Sequence, residues 1–221
     1  MTMKFKLKIC GLTNARDVAT AIDCGADYLG FIFAPKSPRY IEPQTAAALT
    51  AGIKVAKVGV FVDEDPERVI EIMQMCNLDI AQLHGRETAE MMEKIGLERV
   101  WKAVKLNTHT DVAAAVALPC AAVLADSAVG NGGTGKCADW SLAALAAKQI
   151  NLVLAGGLTP ENLVEAVTVV KPFAVDLCSG VEKSPGIKDM TKMIKLKNSF
   201  PVELKHDFCF NKSGNEGAME K

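Results

Sequence analysis

The chain is poor in the residues that several functional classes depend on. Three histidines, two tryptophans and two tyrosines occur in 221 residues, and three histidines are too few for ligands clustered at several strand ends, as a metal-dependent sugar-phosphate epimerase needs. The formal net charge is −1, without the basic excess that nucleic acid or an acidic membrane surface selects. No apolar run approaches the roughly 20 residues of a membrane helix, and no apolar leader precedes the first strand. A cytoplasmic protein without nucleic-acid or membrane partners is expected. No G-x-G-x-x-G follows the first strand, which counts against a dinucleotide-binding fold. The cysteines (Cys10, Cys24, Cys76, Cys120, Cys137, Cys178 and Cys209) are odd in number, scattered and free of C-x-x-C pairs. That spacing argues against a disulfide framework or a zinc site. Most of them read as small buried hydrophobes in a reducing compartment.

What is present is alternation. Apolar runs at 5–10, 28–33, 57–62, 79–84, 100–105, 121–126, 151–156 and 174–179 alternate with helical patterns at 14–24, 44–52, 65–77, 87–96, 110–117, 141–148, 160–170 and 188–197. Asp65-Pro66 and Thr159-Pro160 place proline at a first helical position. Short connections repeated eight times force parallel strands with crossover helices. In a chain of this length they predict a single (β/α)8 barrel over 1–200. The polar, Gly- and Asn-rich segment 201–221 breaks the rhythm and is expected to be a loosely held tail.

Active sites of such barrels lie at the C-terminal ends of the strands. "KFKLKICGLTNARD" (4–17) ends its apolar run on a thiol. By strand alternation Lys8 and Cys10 point into the barrel while Leu7 and Ile9 face the helices. A lysine beneath a thiol favours the thiolate, lowering a pKa that starts at about 8.5. Cys10 is therefore a candidate base or nucleophile, against the alternative of a small residue filling the barrel top. Asp126 ends "AAVLAD" and is followed by "SAVGNGGTGK", too long and Gly-rich a stretch for Asp126 to cap the helix near Ser141; proton transfer is the better reading. "AGGL" (155–158) and "SGVE" (179–182) follow strands 7 and 8, where barrels commonly hold a phosphate. There glycine backbones and a helix N-terminus suit an anion. Arg39, in the Pro-constrained "PKSPRY", suits a fork aimed at a carboxylate, although on its own it reads as a solvated surface arginine. His84 in "QLHG" also ends a strand and reads as a structural histidine bonded to a neighbouring loop.

These residues converge on a family. The chain resembles phosphoribosylanthranilate isomerase in "KICGLT" (8–13), "GADYLGFIFAPKSPRYI" (25–41), "VGVFV" (58–62), "QLHG" (82–85), "GGTGK…DW" (132–140), "AGGLTPENL" (155–163) and "VDLCSGVEKSPGIKD" (175–189). The motifs occur in family order and cover roughly residues 4–197. The resemblance implies an Amadori rearrangement of N-(5'-phosphoribosyl)anthranilate in tryptophan biosynthesis, with no metal and no organic cofactor. It implies Asp126 as the acid that opens the furanose ring to a Schiff base. Cys10 would then be the base that removes the C2 proton to give an enolamine, which tautomerises to the ketone. Arg39 would hold the anthranilate carboxylate, and Gly156, Gly157, Ser179 and Gly180 the phosphate; Asp176 would meet a substrate hydroxyl. Because Asp126 must arrive protonated, its pKa is expected to be raised by partial burial and by the substrate anion. Cys178 stands where the family has serine and Ala138 where it has an aromatic, and the tail beyond Ser199 has no counterpart. The alternatives are a related histidine-pathway aminoaldose isomerase, which carries aspartate in place of Cys10, and a non-catalytic phosphosugar-binding barrel. Monomer and homodimer are both compatible with the resemblance.

Overall fold

The computed structural model describes residues 5–126 and 140–199. The Gly-rich segment 127–136, Cys137, Ala138, Cys209 and the tail 201–221 lie outside the described residues. In chain order the elements are β1 (Lys6–Ile9), α1 (Ala15–Asp23), β2 (Tyr28–Ile32), α2 (Pro43–Thr50), β3 (Ala56–Phe61), α3 (Pro66–Met75), β4 (Ile80–Leu83) and α4 (Ala89–Ile95). They continue with β5 (Val100–Val104), α5 (His109–Val116), β6 (Ala122–Asp126), α6 (Ser141–Ala147), β7 (Leu152–Ala155), α7 (Leu163–Val170) and β8 (Ala174–Leu177). A short hairpin, β9 (Glu182–Ser184) and β10 (Ile187–Lys188), precedes α8 (Met190–Asn198). Strands β1 to β8 pair in parallel and close when β8 meets β1, as the alternation of elements predicted.

The helices are seven to ten residues long, too short to be stable alone in water, so packing must hold them. Strand alternation divides the interior accordingly. Outward residues such as Leu7, Ile9, Leu29, Phe31, Leu83, Leu154, Val175 and Leu177 join the helices in one large core. Inward residues Tyr28, Val58, Trp101, Ala122, Leu124, Val153 and Ala174 form a separate cluster inside the barrel. Across that cluster Tyr28 and Trp101 meet edge to face with ring centroids 4.8 Å apart.

Local chemistry sets the helix starts. Asn14 caps α1 by accepting from the Asp17 amide at 3.0 Å, Asp65 caps α3 with Pro66 at its first position, and Thr108 and Asp111 form a capping box on α5. Thr159-Pro160 departs from expectation. Pro160 lies in a turn before α7, because the Asn162 side chain accepts from the Thr159 amide at 2.8 Å and delays the helix to Leu163. Among the described residues no helix is long and apolar enough to cross a membrane.

Candidate active site

Cys10 follows β1, and the parallel register places it beside Cys178. Lys8 pairs with Asp176 and Ile9 with Leu177, and the Cys10 amide donates to the Leu177 carbonyl at 2.9 Å. The next position on each strand brings the two thiols together on the inward side. Room for the Cys10 thiol comes from Gly30 on β2, where an added Cβ would lie 2.8 Å from Cys10 Sγ. One layer below, Lys8 is fully buried and donates to Asp176 Oδ2 at 2.7 Å.

The charge state of Cys10 follows from these neighbours. A hydrogen bond from the Cys178 thiol lowers the Cys10 pKa most; burial opposes it, and the Lys8 charge lowers it further, to about 6. Lys8 is thus a secondary cause and Cys178 the main one. The Cys178 thiol, which also lies 3.9 Å from Glu182 Oε1, is correspondingly pushed up, chiefly by its contact with Cys10. Cys178, which stands where the family has serine, thus sits against the candidate base.

Asp126 ends β6, three strands from β1 by the shorter way round the barrel. Its Oδ2 lies 3.7 Å from His84 Nε2, an ion-pair distance rather than a full hydrogen bond. Gln82, buried on β4, places its amide nitrogen 3.3 Å from His84 Nδ1. The neighbouring His84 side chain holds the Asp126 carboxyl below the usual carboxylate range against the opposing push of burial. The raised carboxyl expected from partial burial is therefore corrected for the free protein. Asp126 is about one-third exposed, so solvation limits the burial effect while His84 acts directly. His84 is bound to the candidate acid rather than to a loop as a purely structural group.

The loops after β7 and β8 form one wall. Gly156 and Gly157 both have left-handed backbones, at φ 86° and 64°. Gly180 packs so tightly that an added Cβ would lie 1.8 Å from the Leu158 carbonyl oxygen. Among the described residues the N–H groups of Gly156, Gly157, Ser179 and Gly180 donate no hydrogen bond. Ser179–Val181 is a single 3-10 turn, so the anion-binding capacity here lies in these N–H groups and not in a helix dipole as expected from the sequence.

Arg39 is held by a carboxylate of the protein. Its Nε lies 2.9 and 3.0 Å from the two Glu182 oxygens, and its Nη2 lies 2.7 Å from Oε2. The surface-arginine reading is thereby corrected: the side chain is only 20% exposed. Asp176 Oδ1 is buried without a hydrogen-bond partner among the described residues. Glu182 and Lys188 were missed as site residues, because the β9–β10 hairpin consists of three- and two-residue polar strands with no apolar alternation.

A family model for N-(5'phosphoribosyl)anthranilate (PRA) isomerase matches residues 7–199. The N-(5'-phosphoribosyl)anthranilate isomerase of Trichlorobacter lovleyi is 44% identical over 193 residues, covering 85% of this chain and 94% of that protein. The crystal structure of phosphoribosyl anthranilate isomerase from Thermotoga maritima superposes with a TM-score of 0.81 at 39% identity, covering 91% of this chain and 98% of that one. A crystal structure of phosphoribosyl anthranilate isomerase in complex with reduced 1-(o-carboxyphenylamino)-1-deoxyribulose 5-phosphate superposes with a TM-score of 0.79 at 38% identity, covering 88% and 97%.

Proposed function

The chain belongs to the N-(5'-phosphoribosyl)anthranilate isomerase family and is an isomerase of tryptophan biosynthesis acting on a phosphorylated small molecule, and from that premise we propose that Asp126 and Cys10 carry its two proton transfers. Asp126 protonates the furanose ring oxygen; the C1–O bond breaks and the nitrogen lone pair forms the protonated Schiff base. That iminium acidifies the C2–H bond, and the Cys10 thiolate takes the proton. The resulting enolamine tautomerises to the ketone.

The observation that carries this assignment is the placement of Cys10: a thiol at the barrel mouth, one layer above a buried lysine and beside a second thiol, with a pKa lowered to about 6. A base already ionised near neutral pH needs no further activation. Asp126 has the reverse requirement. It is ionised in the free protein, and the phosphate and carboxylate of the arriving substrate raise its proton affinity. The unpaired N–H groups of Gly156, Gly157, Ser179 and Gly180 suit the phosphate, and Asp176 Oδ1 suits a sugar hydroxyl. Arg39 retains donors for the anthranilate carboxylate. We place the enzyme in the cytoplasm, a reading supported by free thiols at Cys10, Cys24, Cys76, Cys120 and Cys178.

The test uses the fluorescence of phosphoribosylanthranilate, formed in situ from anthranilate and phosphoribosyl pyrophosphate. The parent protein consumes the signal without added metal, while Cys10→Ala and Asp126→Asn each slow it by on the order of 10²–10⁴-fold. Equal rates in all three proteins would remove both residues from the chemistry.

A further inference from the structure

Glu182 is a buried carboxylate between two cations, and its bonds run in two directions. Towards the β2–α2 loop it grips Arg39 side-on, through Nε and Nη2. Towards its own hairpin, Oε1 accepts from Lys188 Nζ at 3.1 Å and from the Gly186 amide at 3.2 Å. Lys188 Nζ in turn donates to the carbonyls of Cys10 at 2.5 Å and Cys178 at 3.3 Å. A continuous path of hydrogen bonds therefore joins the Arg39 guanidinium to the backbone of the candidate base.

The geometry of the grip matters. Guanidinium has five N–H donors in a fixed plane. A side-on carboxylate uses the Nε–Nη2 edge and leaves the Nη1–Nη2 end as a second two-pronged face. Among the described residues Arg39 Nη1 donates to nothing. The arginine stem is fixed as well: a Cβ on Gly11, the residue after Cys10, would lie 2.9 Å from Arg39 Cδ. The open end of the guanidinium, with no partner among the described residues, is shaped for the two oxygens of a carboxylate. An arginine locked in this way loses little further rotamer freedom on binding a carboxylate.

We propose that Glu182 is a positioning residue that aims the open end of Arg39 at the substrate's aromatic carboxylate, and through Lys188 fixes that recognition point relative to Cys10. The proposal rests on the isomerase reading above. A purely structural role, bracing the β9–β10 hairpin, would affect every ligand alike.

Titration calorimetry with two ligands separates these roles: reduced 1-(o-carboxyphenylamino)-1-deoxyribulose 5-phosphate and the same compound without its carboxylate. Glu182→Gln is expected to weaken the first by on the order of tenfold and the second by no more than about twofold. In an Arg39→Ala background, Glu182→Gln should add no further loss for the carboxylate ligand. In turnover, KM should rise more than kcat falls. Should Glu182→Gln fail to fold, Glu182→Asp, which keeps the charge with a shorter reach, is read the same way. Equal weakening of both ligands, no weakening of either, or a full effect persisting without Arg39 would each overturn the proposal. Ligand selectivity is measured without turnover, so a failure of the wild-type fluorescence assay would count against the isomerase reading alone.

Discussion

Lys8 Nζ lies 2.7 Å from Asp176 Oδ2, with the lysine side chain fully enclosed and the aspartate 8% exposed. The pair spans the seam where β8 closes onto β1, one layer below Cys10 and Cys178. Burial works to lower the Lys8 pKa, but Asp176, then Cys10, more than reverses it. The lysine is therefore a permanent cation at the base of the site.

Removing one partner leaves the other charge buried. Lys8→Met should destabilise the protein by about 3–5 kcal/mol, while the double replacement Lys8→Met with Asp176→Leu should recover most of that loss. Equilibrium urea unfolding reads both. A Lys8→Met midpoint equal to the parent's would show that the buried pair contributes nothing to stability.

The thiol pair sets the pH dependence. Cys10 is the base as thiolate, so its thiolate absorbance in the free protein should rise with pH through about 6 and level off above it, where the base is fully ionised. Cys178→Ala removes the main cause of that low value and should move the rising limb to higher pH. Cys178→Ser keeps a donor and should move it less. A rising limb that stays in place in Cys178→Ala would assign the acidity to Lys8 instead.

What was legible in the sequence follows from what is periodic. Strand and helix positions were readable because inward and outward residues alternate, and the same parity put Lys8, Cys10, Leu124 and Asp126 on the inner side. Cys178 has that parity too, but its contact with Cys10 exists only because the barrel closes. The charge state of Asp126 was misread for a similar reason: His84 comes from the end of β4, distant in the chain and adjacent only in space. Arg39 was expected to fork a substrate carboxylate, whereas the carboxylate it meets within the fold is Glu182, on a hairpin too short and polar to show a strand pattern. Pro160 was misplaced because an Asn162 side-chain bond competes locally with helix initiation.

The His84 contact predicts a measurable pKa. In the free protein the Asp126 carboxyl should titrate below the usual carboxylate range, and His84→Ala should raise it, because burial is then opposed only by the smaller effect of the Lys105 charge. Carbon-13 NMR of labelled aspartate, with Asp126→Asn identifying the resonance, follows both. An Asp126 titration unmoved by the loss of His84 would mean that the 3.7 Å contact has no electrostatic consequence.

The two glycine loops predict opposite costs for the same added methyl group. At Gly157 an added Cβ meets nothing within 4 Å, and the penalty is the left-handed backbone at φ 64°. That strain is about 1–2 kcal/mol and leaves the wall of N–H groups in place. At Gly180 the Cβ would lie 1.8 Å from the Leu158 carbonyl oxygen, so the loops after β7 and β8 must separate. Gly180→Ala should therefore raise the KM for phosphoribosylanthranilate and weaken competitive inhibition by inorganic phosphate together. Gly157→Ala should lower the thermal midpoint with a smaller change in either constant. If Gly180→Ala retained the parent's phosphate inhibition, the close contact of the two loops would be irrelevant to anion binding, and the phosphate would have to be held elsewhere.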